Sequence, residues 1–187
     1  MDVKNTDIPG CRVVLAKVLR DKRGSFVKTF QKPRFTQLGL RTDWQEEYFS
    51  TSVADVVRGM HFQMPPADHA KLVFCVFGEV LDVVVDLRHG SPTFGQPRAF
   101  SLTAVNGRGI YIPSGCAHGF VSLSEVSAMY YKVTSVYSPQ HDAGIAWDSI
   151  GFDWPASKAA LSDRDLNHPR LADFESPFTY KADEASR

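Results

Sequence analysis

A chain of 187 residues matches the size of one domain, ~100 to 200 residues, and leaves little room for two large ones. Its 21 Lys and Arg balance 21 Asp and Glu, so it lacks the basic field that holds duplex nucleic acid or an anionic membrane surface. Hydrophobic residues at 43% exclude a disordered chain, and no apolar run approaches the ~18 residues that cross a bilayer.

The opening MDVKNTDIPG has no apolar stretch behind a basic start, so nothing resembles a secretory leader and a cytoplasmic location is expected. Short β-rich runs then follow closely, each with β-branched or aromatic residues between turn-formers. They are RVVLAKVL (12–19), SFVKTF (25–30), EYFSTSV (47–53), VVRGMHF (56–62), KLVFCVF (71–77), EVLDVVVDL (79–87), GIYI (109–112), GFVSL (119–123) and AMYYKVT (128–134). Strands of this length and spacing describe an all-β sandwich or barrel. In EVLDVVVDL the two-residue period sets Leu81, Val83, Val85 and Leu87 on one face and Val80, Asp82, Val84 and Asp86 on the other. One face reads as plain core, and the other carries two carboxylates.

LRHGSPTFGQP (87–97) reads as a loop between strands. Helical pattern is scarce before Trp154, whereas ASKAALSDRDLNHPRLADF (156–174) turns polar and predicts one or two short helices or turns. This stretch, from about residue 155, reads as an appendage to a single domain spanning 1–187. Cys11, Cys75 and Cys116 are odd in number and hold no close pair, so they are expected as small buried thiols rather than a disulfide frame.

GRGIYIPSGCAH (107–118) spaces Gly, Pro, Gly and His in a way that resembles the second signature of the cupin superfamily. The resemblance implies a cupin-like double-stranded β-barrel, or jelly roll, with its site in the mouth. In many cupins this His ligates a metal together with an earlier His-x-His and a Glu. Here the earlier segment is His61-Phe62-Gln63, and no Glu follows at ligand spacing. A first-row metal needs three or more placed ligands, so neither a metal nor another cofactor is expected.

Taken together, RDKRGSFVKTF, SVADVVRGMHFQ, HAKLVFCVFGEVLDVVVDLRHGSPTFG, YIPSGCAHGF, YYKVTSVYSP, GIAWDSIGFDWP and LSDRDLNHP resemble, in order and spacing, the dTDP-4-dehydrorhamnose 3,5-epimerase family over roughly residues 10 to 170. The resemblance implies an isomerase acting without metal on a nucleotide-linked 4-keto-6-deoxy sugar. A C4 ketone acidifies the protons on C3 and C5, so inversion needs a base on one face, a proton donor on the other and support for the enolate oxygen.

His61 matches the family's base and Asp165 the carboxylate that orients it, as an imidazole titrating near working pH requires. Without the resemblance, His61 reads as a hydrogen-bonded core histidine and Asp165 as the acid of a Ser162-x-x-Asp165 helix cap. Tyr131 matches the proton donor, Tyr137 an aromatic near the sugar or nucleotide, and Lys71 the cation beside the C4 oxygen. Plain strand aromatics and a solvated strand-start lysine are the ordinary alternatives. His118 and Asp82 match a second histidine and carboxylate pair, and Ser50 a polar contact at the sugar end. Arg23 and Arg58 match arginines on the diphosphate. Phe26 matches a ring that stacks on the base, often in the partner subunit's site, which implies a homodimer.

The chain departs from the family pattern at the nucleoside end. Where Gln-x-Asn-x-Ser-x-Ser is common it has Glu46-Glu47-Tyr48-Phe49-Ser50-Thr51-Ser52, and where a Glu follows the stacking Phe it has Lys28. A carboxylate only accepts hydrogen bonds, which suits cytosine or guanine donors better than thymine. A CDP- or GDP-linked hexose or heptose therefore stands beside dTDP-4-dehydro-6-deoxyglucose as substrate. A sugar 3,4-ketoisomerase and a non-catalytic sugar-binding cupin are the competing functions.

Overall fold

The computed structural model describes residues 1–182; residues 183–187, the end of the expected appendage, lie outside the described residues. Thirteen strands follow in chain order: β1 Asp2–Asn5, β2 Arg12–Leu15, β3 Val18–Asp21, β4 Gly24–Val27, β5 Glu46–Val53, β6 Val57–Gln63, β7 Lys71–Phe77, β8 Glu79–Asp86, β9 Pro97–Thr103, β10 Arg108–Ile112, β11 Cys116–Ser122, β12 Val126–Val133 and β13 Asp142–Gly144. Two short helices accompany them, α1 Lys32–Gln37 and α2 Asp163–Leu166. The six-stranded sheet runs β1-β2-β10-β7-β12-β5, the five-stranded sheet β13-β6-β11-β8-β9, and β3 and β4 form a separate hairpin. The fold is mostly β, and each sheet is open, with β1 and β5 as the edges of one and β13 and β9 as the edges of the other.

Three apolar clusters follow from strand alternation. Val80 and Val84 of β8 join Val73 and Cys75 of β7, Ile110 and Ile112 of β10 and Met129 of β12, so this core lies between the sheets. Asp82 and Asp86 share that inward face and are fully buried. The opposite face of β8, with Val83 and Val85, is core of a different kind. It packs with Met60, Phe62 and Ile145 beneath Phe152, Trp154, Leu171, Phe174 and Phe178. The C-terminal stretch is therefore a covering layer, its sparse apolar residues spent on the outer face of the five-stranded sheet.

One short α-helix precedes Trp154, where the sequence shows little helical pattern. In α1, KPRFTQ, only Phe35 is buried, against Leu72, Phe74 and Tyr111 on the outer face of the six-stranded sheet. One aromatic per turn and a half leaves no readable period, yet its burial contributes about 1.5–3 kcal/mol. RVVLAKVL divides into two strands because Ala16 leaves the sheet to donate its N–H to Gly107 O at 2.8 Å.

The loop after β8 is organised by Asp86. One oxygen accepts the backbone N–H and Nε–H of Arg88 at 3.0 and 2.8 Å, and the other accepts Arg88 Nη2, Ser91 Oγ and Thr93 Oγ1 at 2.8, 2.6 and 2.9 Å. Burial opposes its charge, but Arg88 and Ser91 hold the carboxyl below the usual range. Cys11, Cys75 and Cys116 are free and buried, as expected. Burial pushes the Cys11 and Cys75 thiols up to about 12 and about 11.

Candidate active site

A cavity of about 340 Å³ lies between the sheets. Along β5 the two-residue period turns Glu46, Tyr48 and Ser50 into it, while Glu47, Phe49 and Thr51 face the other way. Strand β12 adds Tyr131 and Val133, β7 adds Lys71, β6 adds Arg58, His61, Phe62 and Gln63, and β11 adds His118 and Phe120. The imidazoles thus come from one sheet and the Tyr131 phenol from the other.

His61 and His118 are direct partners across the β6 and β11 pair. The register shifts just past His118, where Gly59 runs so close to Gly119 that a Cβ at residue 59 would stand 2.6 Å from Gly119 Cα. With φ at +145°, only glycine fits there. Asp165 reaches His61 from α2, which is tied to the start of β6 by Val57 N–H to Ala160 O at 3.0 Å. Ser162 caps α2 by accepting the Asp165 N–H at 3.2 Å. The cap and the dyad coexist, because the carboxylate oxygens go elsewhere: Oδ1 lies 2.7 Å from His61 Nε2, and Oδ2 accepts the Gly59 N–H at 3.3 Å.

These contacts fix the protonation of His61. An ionised carboxylate can only accept, so Nε2 carries the proton and Nδ1 keeps its lone pair. Burial lowers the imidazole below the ordinary histidine value against the opposing pull of Asp165, and it stays neutral at pH 7. Asp165 is buried, which opposes its charge, yet the His61 hydrogen bond keeps it below the usual carboxylate range. His118 Nε2 makes a parallel contact to Asp82 Oδ2 at 2.7 Å, deeper in the interior.

Tyr131 stacks on Tyr48 with ring centroids 4.8 Å apart, its hydroxyl 3.5 Å from Ser50 Oγ. Burial raises its pKa, so the phenol keeps its proton. Lys71 spans the sheets, donating from Nζ to His61 O at 3.0 Å, and burial pushes its pKa down to about 8. Arg58 donates to Ser52 Oγ and Thr51 O, both at 3.0 Å. Glu46 accepts the Tyr137 N–H at 2.7 Å.

The structure therefore gathers His61, Tyr131, Lys71, Glu46, Ser50, Arg58, His118 and Tyr137 around one cavity, with Asp165 and Asp82 directly behind the histidines. It does not bring Arg23 or Phe26 there. Both stand on the exposed β3 and β4 hairpin, where Arg23 pairs with Asp21 and Phe26 is 59% exposed. Tyr48, which the sequence counts among the departures at the nucleoside end, does line the cavity, while sequence reasoning passed over His69, Asp142, Arg164 and His168. Arg164 lines the cavity and pairs with Asp142 at 2.9 Å, and its place beside Asp165 in LSDRD was the available signal. His168, three residues further, sets Nε2 3.9 Å from Asp165 Oδ1.

The cupin ligand positions do not fit a metal. Gln63 donates to Ala67 O and Ser135 Oγ and accepts the Ser138 N–H at 2.6 Å, leaving its amide committed. His118 spends Nε2 on Asp82. No helix among the described residues is long and apolar enough to cross a membrane.

A family model described as dTDP-4-dehydrorhamnose 3,5-epimerase matches residues 5–173. The chain is 40% identical over 176 residues to the dTDP-4-dehydrorhamnose 3,5-epimerase of Shigella flexneri, covering 92% of this chain and 97% of that protein. It is 42% identical over 175 residues to the enzyme of the same name from Salmonella typhimurium, with 91% and 96% covered. Among solved structures it superposes on dTDP-6-deoxy-D-glucose-3,5-epimerase RmlC from Legionella pneumophila Philadelphia 1, in complex with dTDP-4-keto-L-rhamnose. That match has a TM-score of 0.91 at 35% identity and covers 97% of this chain and 99% of the other. ChmJ, a 3'-monoepimerase from Streptomyces bikiniensis in complex with dTDP-quinovose, aligns with a TM-score of 0.83 at 32% identity, covering 88% and 85%.

Proposed function

Because the chain belongs to the dTDP-4-dehydrorhamnose 3,5-epimerase family, we propose that the cavity between its sheets carries out that family's chemistry with the residues described above. The chain is an enzyme, a nucleotide-sugar epimerase acting on a dTDP-linked 4-keto-6-deoxy sugar. The observation that carries the assignment of roles is the delivery of an Asp165-held imidazole and a protonated phenol from opposite sheets into one cavity.

His61 Nδ1 removes the proton from C3 or C5, and the charge that forms on the ring is offset by Asp165. The electron pair moves onto the C4 oxygen, where the Lys71 ammonium stabilises it. Tyr131 then protonates the carbon from the opposite face. The phenolate recovers a proton from solvent along Ser50, and His61 returns its own to water, so no proton is gained or lost overall. Both C3 and C5 pass this way as the sugar ring shifts between the two groups.

Arg58 and Arg164 bind the diphosphate, since guanidinium groups match phosphate oxygens in pairs. Glu46 commits one oxygen to the Tyr137 backbone and in that way orders the nucleoside end, while the dTDP-linked relatives support dTDP over a CDP or GDP substrate. Arg23 and Phe26 serve the partner subunit's cavity in a homodimer. In support, the outer face near edge strand β5 leaves Phe49, Val53 and Phe77 at 73%, 61% and 61% exposed, an apolar patch suited to a second copy. The two packed sheets form the jelly roll of the cupins. Three unpaired cysteines support a reducing compartment, the cytoplasm.

The test is incubation with dTDP-4-dehydro-6-deoxyglucose in deuterated water, following deuterium at C3 and C5 by NMR. His61→Ala should lose exchange at both carbons by ~10² to 10⁴. Exchange near the wild-type rate would remove His61 from the role of base.

A further inference from the structure

We infer that His61, Asp165 and His168 form a zinc site behind the cavity, whose occupation silences the base. The inference rests on the reading of His61 as that base. One donor atom from each residue lies within 4.8 Å of the other two, and this is the one such group of histidine, cysteine and carboxylate ligands found among the described residues. Two histidines and a carboxylate with a fourth position open are a familiar zinc set. Ligand atoms around a tetrahedral zinc stand ~3.4 Å apart, from bonds of about 2.0–2.2 Å. The distances here fall on either side of that spacing, 2.7 Å from His61 Nε2 to Asp165 Oδ1 and 3.9 Å from Asp165 Oδ1 to His168 Nε2.

His168 is the telling member. Its Nε2 is buried with no hydrogen-bond partner among the described residues, although buried ring nitrogens are ordinarily paired. Its ring meets that of His61 edge-on, with centroids 5.7 Å apart. Room for the nitrogen exists because residue 144 on β13 is glycine, where a Cβ would stand 2.5 Å from it. The set shares His61 with the cupin ligand positions but replaces Gln63 and His118, on the cavity side, with Asp165 and His168.

Zinc on Nε2 would change His61 without filling the cavity. The proton now on Nε2 moves to Nδ1, and no proton is lost from the neutral ring. The lone pair that faced the sugar is gone, and Asp165 spends its charge on the metal. Catalysis should stop while nucleotide binding continues.

The experiment uses metal-free full-length protein, with cobalt(II) as an optical stand-in for zinc. Wild type should bind one cobalt with the visible bands of a four-coordinate site and release it to zinc. His168→Gln should weaken zinc binding in calorimetry by at least tenfold and raise the zinc concentration that halts deuterium exchange by the same factor. His89→Gln, at an exposed histidine, should match wild type, and dTDP affinity should be equal with and without zinc. If His168→Gln does not fold, His168→Asn takes its place. No cobalt spectrum, equal zinc affinity in the His168 variant, or displacement of dTDP by zinc would each overturn the inference. Failure of the underlying reading shows separately, as equal exchange by metal-free wild type and His61→Ala.

Discussion

Asp165→Asn tests the dyad with almost no change of shape. In the wild type the carboxylate lies 2.7 Å from Nε2, and the charge on a protonated ring is centred ~4 Å away, which at an effective dielectric of about 20 is worth ~4 kcal/mol. The imidazole side chain is 26% exposed and Asp165 only 4%, so partial screening by water reduces this to about 3–4 kcal/mol. At 1.36 kcal/mol per decade, the expected fall in kcat is roughly 10² to 10³. An asparagine can also turn its NH₂ toward Nε2 and drive the proton to Nδ1, which deepens the loss. Steady-state turnover should be measured beside calorimetric dTDP binding, which should not change. The pH profile supplies a second readout. The base acts as the neutral ring, so activity disappears as pH falls through its pKa, and Asp165 is what raises that pKa against burial. Without the carboxylate the acid limb should move to lower pH while the plateau drops. Turnover within about threefold of wild type, or an acid limb displaced upward, would refute the reasoning.

Tyr131→Phe should reduce product formation more than deuterium exchange, because His61 can still lift a proton and return it to the same face; NMR of one reaction reports both. Lys71 acts as a cation and its pKa is pushed down to about 8, so kcat/KM should fall as pH rises through about 8. Lys71→Arg should carry that limb upward, and Lys71→Met should cost about 10²-fold below pH 8, a deficit that narrows as pH rises and wild-type Lys71 loses its own charge. Asp86→Ala leaves the Arg88 guanidinium buried without its partner and should cost about 3–5 kcal/mol in urea unfolding. The folded pKa of Asp86 is depressed, so wild-type stability from this pair is complete above the ordinary carboxylate range and is lost as pH falls through the folded value. The alanine variant should lack that acid-side loss.

The strands were legible where alternation met β-branched residues, as in KLVFCVF and EVLDVVVDL. Those that escaped were polar or brief: β1 reads DVKN, β9 opens on proline as PRAFSLT, and β13 is only Asp142–Gly144. Helix α1 escaped because one buried phenylalanine makes no period. His61 and His118 could be found from motifs, since β6 and β11 carry them at fixed register. Asp142 could not, and His168, though it lies in LSDRDLNHP three residues after Asp165, gains its relevance only from the long-range docking of that segment. The two-faced reading of β8 was right in its alternation and incomplete in its meaning, since the outward face acquires its cover from residues beyond 150.

That cover also carries Asp165, which stands 104 residues from its imidazole along the chain. Contacts of such separation form late in folding. A polypeptide whose sheets have paired but whose last segment is undocked, or has been clipped, would keep Arg58 but lack both Arg164 and Asp165, so it would bind nucleotide more weakly and turn nothing over. It would also bare Phe62, Val83 and Ile145, the kind of surface that chaperones and proteases act upon. Docking of the last segment thus completes the fold and the active site in one step.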